Sequence, residues 1–150
     1  MVVVADSGPI LSFARANLLE LLHEVMEEIV IPAAVAEELG SALVSQGRLR
    51  HRSVRDPAFM AQLPQKLHRG EQEAIVLARE LGALLLVDER EARKEARRLG
   101  VPHLGSLRVL KEAKDRGIVS AAKPVLDTLI ATGTYLSKLL YQEFLRQVGE

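Results

Sequence analysis

Two periodicities divide the chain. Unbroken apolar runs at Val2-Val3-Val4-Ala5, Ile29-Val30-Ile31 and Ala83-Leu84-Leu85-Leu86-Val87 have the length and composition of strands covered on both faces. Between them, apolar residues recur at helical spacing. Ile10, Leu11, Ala14, Leu18, Leu21, Leu22 and Val25 predict one helix from Ile10 to about Met26. Val35 and Leu39 predict a second after Pro32, and Ala74, Ile75, Ala78 and Leu81 a third from Gly70 to a C-cap at Gly82. Ala92, Ala96 and Leu99 mark a fourth, closed by Gly100; a short strand at 101–104 and helices at 107–116, 124–131 and 135–148 complete the chain. Residues 40–69 carry less pattern, with a short edge strand expected around Arg50-His51-Arg52-Ser53 between Leu49 and Val54.

Strands alternating with helices argue an α/β class with a parallel sheet covered on both faces. With 150 residues and no repeat or linker, a single domain over 1–150 is expected. Composition narrows the picture. Hydrophobic residues make up 48% of the chain, enough for a core and too many for disorder. No apolar run is long enough to span a bilayer, and the start lacks the regions of a signal peptide. The absence of cysteine excludes disulfides and thiolate metal sites, and fits a cytoplasmic location. Lys plus Arg equals Asp plus Glu, 20 against 20, so any nucleic-acid binding must rest on local charge separation. The basic residues at 48–55, and Arg90, Arg93, Lys94 and Arg97, are solvated faces on the plain reading and phosphate contacts on the other.

Candidate chemistry follows from where the acids fall. Asp6 and Asp88 each end an apolar strand, the edge at which open α/β sheets place their ligands; Glu89 follows directly. The plainer role for Asp6 and Ser7 is to cap the next helix. Glu38 lies beside the apolar face of its helix, whereas Glu37 points away; standing alone it reads as a boundary glutamate reaching water. Glu71 falls on the core-facing stripe of the third helix, and Glu73 off it. Interaction with the helix dipole explains an acid in that first turn, but not one on the apolar side. Right-handed crossovers collect the strand ends at one edge. Four carboxylates meeting there without basic partners would repel, which Mg²⁺ or Mn²⁺ relieves through oxygen ligation. Such a centre suits phosphodiester hydrolysis. The four histidines, at 23, 51, 68 and 103, share no zinc-ligand spacing.

The ordered set Val4-Ala5-Asp6-Ser7-Gly8-Pro9, Ile31-Pro32 with Val35 and Glu38-Leu39, Gly70-Glu71 with Glu73-Ala74-Ile75 and Leu77-Ala78, Leu86-Val87-Asp88-Glu89-Arg90 with Ala92-Arg93, Gly105-Ser106-Leu107, and the 133–140 tail resembles the PIN-domain superfamily. Within it, the DUF3368-type branch is the nearest likeness, over nearly the whole chain. The resemblance implies a three-layer α/β/α fold with a central parallel sheet, and a Mg²⁺- or Mn²⁺-dependent ribonuclease acting on single-stranded RNA. It also implies a VapC-like toxin, dimeric and silenced by a small antitoxin. By motif match Asp6, Glu38, Glu71 and Asp88 form the acidic quartet and Ser7 supports a ligating carboxylate by hydrogen bonding; from the basic stripe, Arg93 or Arg97 is the expected phosphate contact. Where PIN nucleases usually carry Thr or Ser, one residue, then Asp, this chain reads Asp88-Glu89-Arg90-Glu91. The fourth ligand is therefore Asp88, Glu89 or Glu91.

Three other readings stand beside this one. A PIN-like fold can bind RNA or a protein without cutting. A phosphate-accepting receiver domain needs an acidic pair after the first strand and a late Lys; here Asp6 stands alone and the 101–104 strand leads to Gly105. A purely structural interaction domain would use the apolar 135–148 helix.

Overall fold

The computed structural model describes residues 2–150. Five parallel strands, β1 (Val2–Ala5), β2 (Glu28–Ile31), β3 (Arg50–His51), β4 (Leu84–Leu86) and β5 (His103–Leu104), lie in the order β3-β2-β1-β4-β5. The chain builds outward from β1 on one side, then crosses back to build β4 and β5 on the other. The crevice where strand order reverses therefore opens between the carboxyl ends of β1 and β4. Asp6 and Asp88 flank it.

Alternation along β1 fixes the layers. Val3 and Ala5 join one buried cluster with Ile10, Phe13, Leu22 and Leu110, while Val4 joins the other with Ile75, Leu77 and Ala92. Successive side chains leave a strand on opposite faces, so an all-apolar strand needs helices on both. Each fully buried Val or Leu gains about 1.5–3 kcal/mol from leaving water. One layer holds α1 (Ser7–Arg15), α2 (Leu19–Met26), α7 (Ser106–Asp115) and α8 (Lys123–Ala131). The other holds α5 (Arg69–Leu81) and α6 (Arg90–Arg98). The architecture is the three-layer α/β/α expected.

Several boundaries differ from the sequence reading. The single helix expected over 10–26 is two, broken where Asn17 adopts φ 58° and Leu18 N–H bonds the Phe13 carbonyl at 2.8 Å. Asn tolerates this left-handed geometry and ends helices. The apolar period runs through the break because α1 and α2 cover the same core. Residues 40–69 hold, beyond the expected edge strand β3, α4 (Ser41–Gln46) and a 3-10 helix (Pro57–Gln62), neither with a fully buried residue to leave a pattern. In α9 (Lys138–Gln147) only Phe144 is buried, while Leu139 and Leu140 are 74% and 53% exposed. Among the described residues no helix is long and apolar enough to cross a membrane.

Candidate active site

Asp6 follows β1 directly, and its amide bonds the Leu86 carbonyl of β4 at 3.0 Å. It occupies the N-cap position of α1 but its side chain makes no capping hydrogen bond. Burial pushes its pKa from the ordinary 3.8 to about 6; the Ser7 amide works against the shift, and the charges of Glu38, Asp88 and Glu89 add to it. Glu71, in the first turn of α5 and 7% exposed, is raised to about 7 by burial and then by Asp6 and Glu89, with His68 opposing. Glu38, Glu71, Asp88 and Glu89 are thus all linked electrostatically to Asp6.

The remaining acids are held from outside the cluster by neutral donors. Ser7 Oγ donates to Glu38 Oε2 at 2.8 Å, joining α1 to α3 (Ala33–Leu39). Glu38 is otherwise exposed, as a boundary glutamate is, yet its carboxylate is anchored. Asp88 receives both the backbone N–H of Ser106 at 2.7 Å and its hydroxyl at 2.6 Å. Glu89 accepts the Ala92 amide at 2.8 Å, capping α6. Hydroxyls and amides orient an anion without cancelling its charge. Glu91 differs: Lys66 pairs with it at 2.9 Å and holds its carboxyl below the usual range. Of the three acids left open at this position, Asp88 and Glu89 act on the charge of Asp6, whereas Glu91 is taken up by Lys66.

Two glycines let the backbone approach these carboxylates. A Cβ at position 70 would lie 2.1 Å from Glu38 Oε1, and one at position 105 would lie 2.8 Å from Asp88 Oδ1. Ser106 and both glycines are site residues that charge and periodicity did not single out; the signal available was their place in the Gly70-Glu71 and Gly105-Ser106-Leu107 motifs.

One sequence expectation is overturned. Glu73, placed off the core stripe, is 6% exposed. Its Oε1 accepts the Ala34 amide at 3.0 Å and its Oε2 the Arg69 Nε at 2.9 Å. Helical position alone put it outward, but α3 packs on that side of α5 and presents an unsatisfied first-turn N–H. Glu73 therefore clamps together the helices that carry Glu38 and Glu71.

The basic residues divide similarly. Arg48 and Arg50 are engaged by Glu20 and Glu28, so that run is partly neutralised. Glu95 pairs with Arg98 within α6, and Glu91 pairs with Lys66 outside it. Arg93 lies beside the site, its Nη1 3.5 Å from where a Gly105 Cβ would be. Arg97 is exposed one turn further along α6.

The donor set suits a hard divalent cation: oxygen ligands only, mutually repelling, with hydroxyl and amide supports behind them. Among the described residues no three acidic or histidine side chains form a ready-made cage. Asp6 and Glu71 could meet an ion directly, with water completing its shell as is usual for Mg²⁺.

Comparison with curated proteins finds no match. Among solved structures, a PilT N-terminus domain protein, SSO1118, from the hyperthermophilic archaeon Sulfolobus solfataricus P2 is similar at a TM-score of 0.50 and 19% identity. The match covers 91% of this chain and 98% of that one, a likeness of fold. The model of DUF3368, described as a PIN domain, matches residues 2–150. The chain therefore belongs to the DUF3368 family of PIN domains, a class of proteins that are generally nucleases.

Proposed function

We propose that the protein is a cytoplasmic, Mg²⁺- or Mn²⁺-dependent endoribonuclease that hydrolyses single-stranded RNA. In this reading it acts as the toxin of a VapC-like pair, as a homodimer restrained by a small antitoxin. One observation carries the reading: Asp6 and Glu71 are raised to about 6 and 7 in a cluster that also includes Glu38, Asp88 and Glu89, where burial and the neighbouring carboxylates outweigh the opposing charge of His68. Such a cluster stores unfavourable charge that a bound divalent ion relieves. The ion would be held by Asp6 and Glu71, with Glu38, Asp88 and Glu89 as the further oxygen donors. When bound it supplies Lewis acidity, lowering the pKa of water and offsetting charge on the phosphate.

The chain's own groups do the rest. Ser7 and Ser106 fix the Glu38 and Asp88 carboxylates so that their lone pairs keep a constant direction. Arg93, and Arg97 further along α6, contact the phosphates and offset the acidic centre. Burial of Asp6 keeps bulk water from screening it.

Cleavage of a labelled single-stranded RNA is the test, with Mg²⁺, Mn²⁺ or EDTA, on wild type beside Asp6→Asn and Asp88→Asn. The reading requires metal-dependent cleavage by wild type and a loss of at least about a hundredfold in each variant. Equal residual activity in all three would identify a contaminant. A second reading, an RNA- or protein-binding module without turnover, is favoured by the two hydrogen bonds that already occupy both oxygens of Asp88. It requires wild type to bind RNA, and Asp6→Asn to bind equally, with no cleavage by either.

A further inference from the structure

A groove of about 720 Å³ adjoins the acidic centre at Asp88, and neither Glu38 nor Glu71 lines it. Asp88, Gly8 and Gly105 form its inner end; α7 supplies Arg108 and Lys111, and the α8–α9 connection and α9 supply Tyr135, Leu136 and Leu140. Its floor is apolar, yet its cations are available. Lys111 is paired with Asp115, but among the described residues the side chains of Arg93 and Arg108 have no hydrogen bond or ion pair with the protein. Glu143, the other acid lining it, is paired with Arg146. Tyr135 is 79% exposed, the most exposed large hydrophobic among the described residues.

Resting on the nuclease reading, the geometry points to this groove as the seat of the nucleotide next to the scissile phosphate, with Arg108 on the flanking phosphate and Tyr135 stacked on the base. Continuity with Asp88 decides the class of occupant. A strand whose scissile phosphate sits at the acids must leave the centre along a neighbouring channel, and this channel offers free guanidinium groups for phosphates and an aromatic face for a base. Single-stranded nucleic acid is held elsewhere by the same combination, a cationic track with stacking platforms. Because a π face accepts any base, the groove adds affinity and register with little sequence preference.

The test is binding of a fluorescent, non-cleavable single-stranded oligonucleotide (2′-O-methyl sugars, phosphorothioate links), read by anisotropy and run beside the cleavage assay. The proteins compared are wild type, Arg108→Gln, Tyr135→Ala and Tyr135→Phe. Tyr135→Ala should weaken binding about five- to hundredfold, and Tyr135→Phe, which keeps the ring, should restore it. Arg108→Gln should weaken binding and reduce the slope of log affinity against log salt by about 0.7. Both side chains are exposed, so unchanged melting temperatures should accompany these losses. If wild type cleaves RNA while all three variants bind and cleave as wild type does, the groove proposal falls and the nuclease reading stands; the groove is then left to a protein segment. If wild type binds the oligonucleotide through these residues but never cleaves, the groove stands as a seat for single-stranded nucleic acid, while the nuclease reading falls and with it the register on a scissile phosphate. Wild type that neither binds nor cleaves overturns both.

Discussion

Glu38 and Gly70 are in contact that only a glycine permits: a methyl group on residue 70 would stand 2.1 Å from Oε1 of Glu38. The atom it meets is the free end of a flexible side chain, so Gly70→Ala displaces the Glu38 carboxylate rather than the helices. The expected outcome is RNA cleavage lowered about 10–100-fold, the range for disturbing a ligand's support. Folding free energy should change by under about 1 kcal/mol, since Ala suits a helix better than Gly does. A melting curve beside the cleavage assay checks both halves. A large loss of stability would mean that α3 and α5 cannot absorb the methyl group.

Ser7 acts on the same carboxylate from the other side. Its hydroxyl is the donor that holds Glu38 Oε2, and water can replace it because Glu38 reaches solvent. Ser7→Ala should therefore cost only about 0.5–1.5 kcal/mol of stability. Its effect on metal-dependent cleavage should be larger, about tenfold or more. Titration of Mn²⁺ against the melting temperature separates weaker metal binding from a change in folding. Unchanged cleavage and Mn²⁺ response would remove Ser7 from the site.

Glu73 supports the site without belonging to its cation-binding face. Its carboxylate satisfies the Ala34 amide at the start of α3 and is itself paired with Arg69. Glu73→Ala leaves that buried N–H without a partner, a cost of about 1–3 kcal/mol. For a chain of this size each kcal/mol lowers the melting temperature by about 2–4 °C. Glu73→Gln keeps an acceptor oxygen and should recover much of the loss. Equal melting temperatures for wild type and Glu73→Ala would show that α3 and α5 do not depend on the clamp.

What the sequence disclosed was governed by how local the cause is. The β1 and β4 runs, with Asp6 and Asp88 at their ends, are legible because a strand buried on both faces must be apolar throughout, and a polar residue ends it. Glu71 is legible because an acid on an apolar stripe conflicts with its surroundings. Glu73 is not, since its burial comes from α3, a helix about 40 residues away in sequence whose N–H it satisfies. The break at Asn17 is masked by a core that accepts both α1 and α2. Ser106 is hidden for a related reason: an ordinary turn residue gains its role only when β4 and α7 bring it to Asp88.

The last prediction concerns pH. Asp6 and Glu71 have folded-state pKa values of about 6 and 7, above the ordinary 3.8 and 4.5 of a carboxyl in the unfolded chain. A carboxyl shifted upward stabilises the fold fully below its unfolded value, where it is protonated in both states. That contribution is lost as pH rises through the folded value, because the buried group must then ionise beside Glu38, Asp88 and Glu89. Without metal, these two groups should make stability decline between about pH 4 and 7, and Asp6→Asn, which cannot ionise, should flatten part of the decline. A divalent cation reverses the sign, since it binds the ionised forms and competes with protons for them. The rise in melting temperature on adding Mn²⁺ should accordingly be small at pH 5 and grow through pH 7, and Asp6→Asn should reduce it at every pH. Denaturant melts across this range, with EDTA and with Mn²⁺, are the measurement. A Mn²⁺ effect that is the same at pH 5 and pH 8 would mean that the ion does not meet these carboxylates.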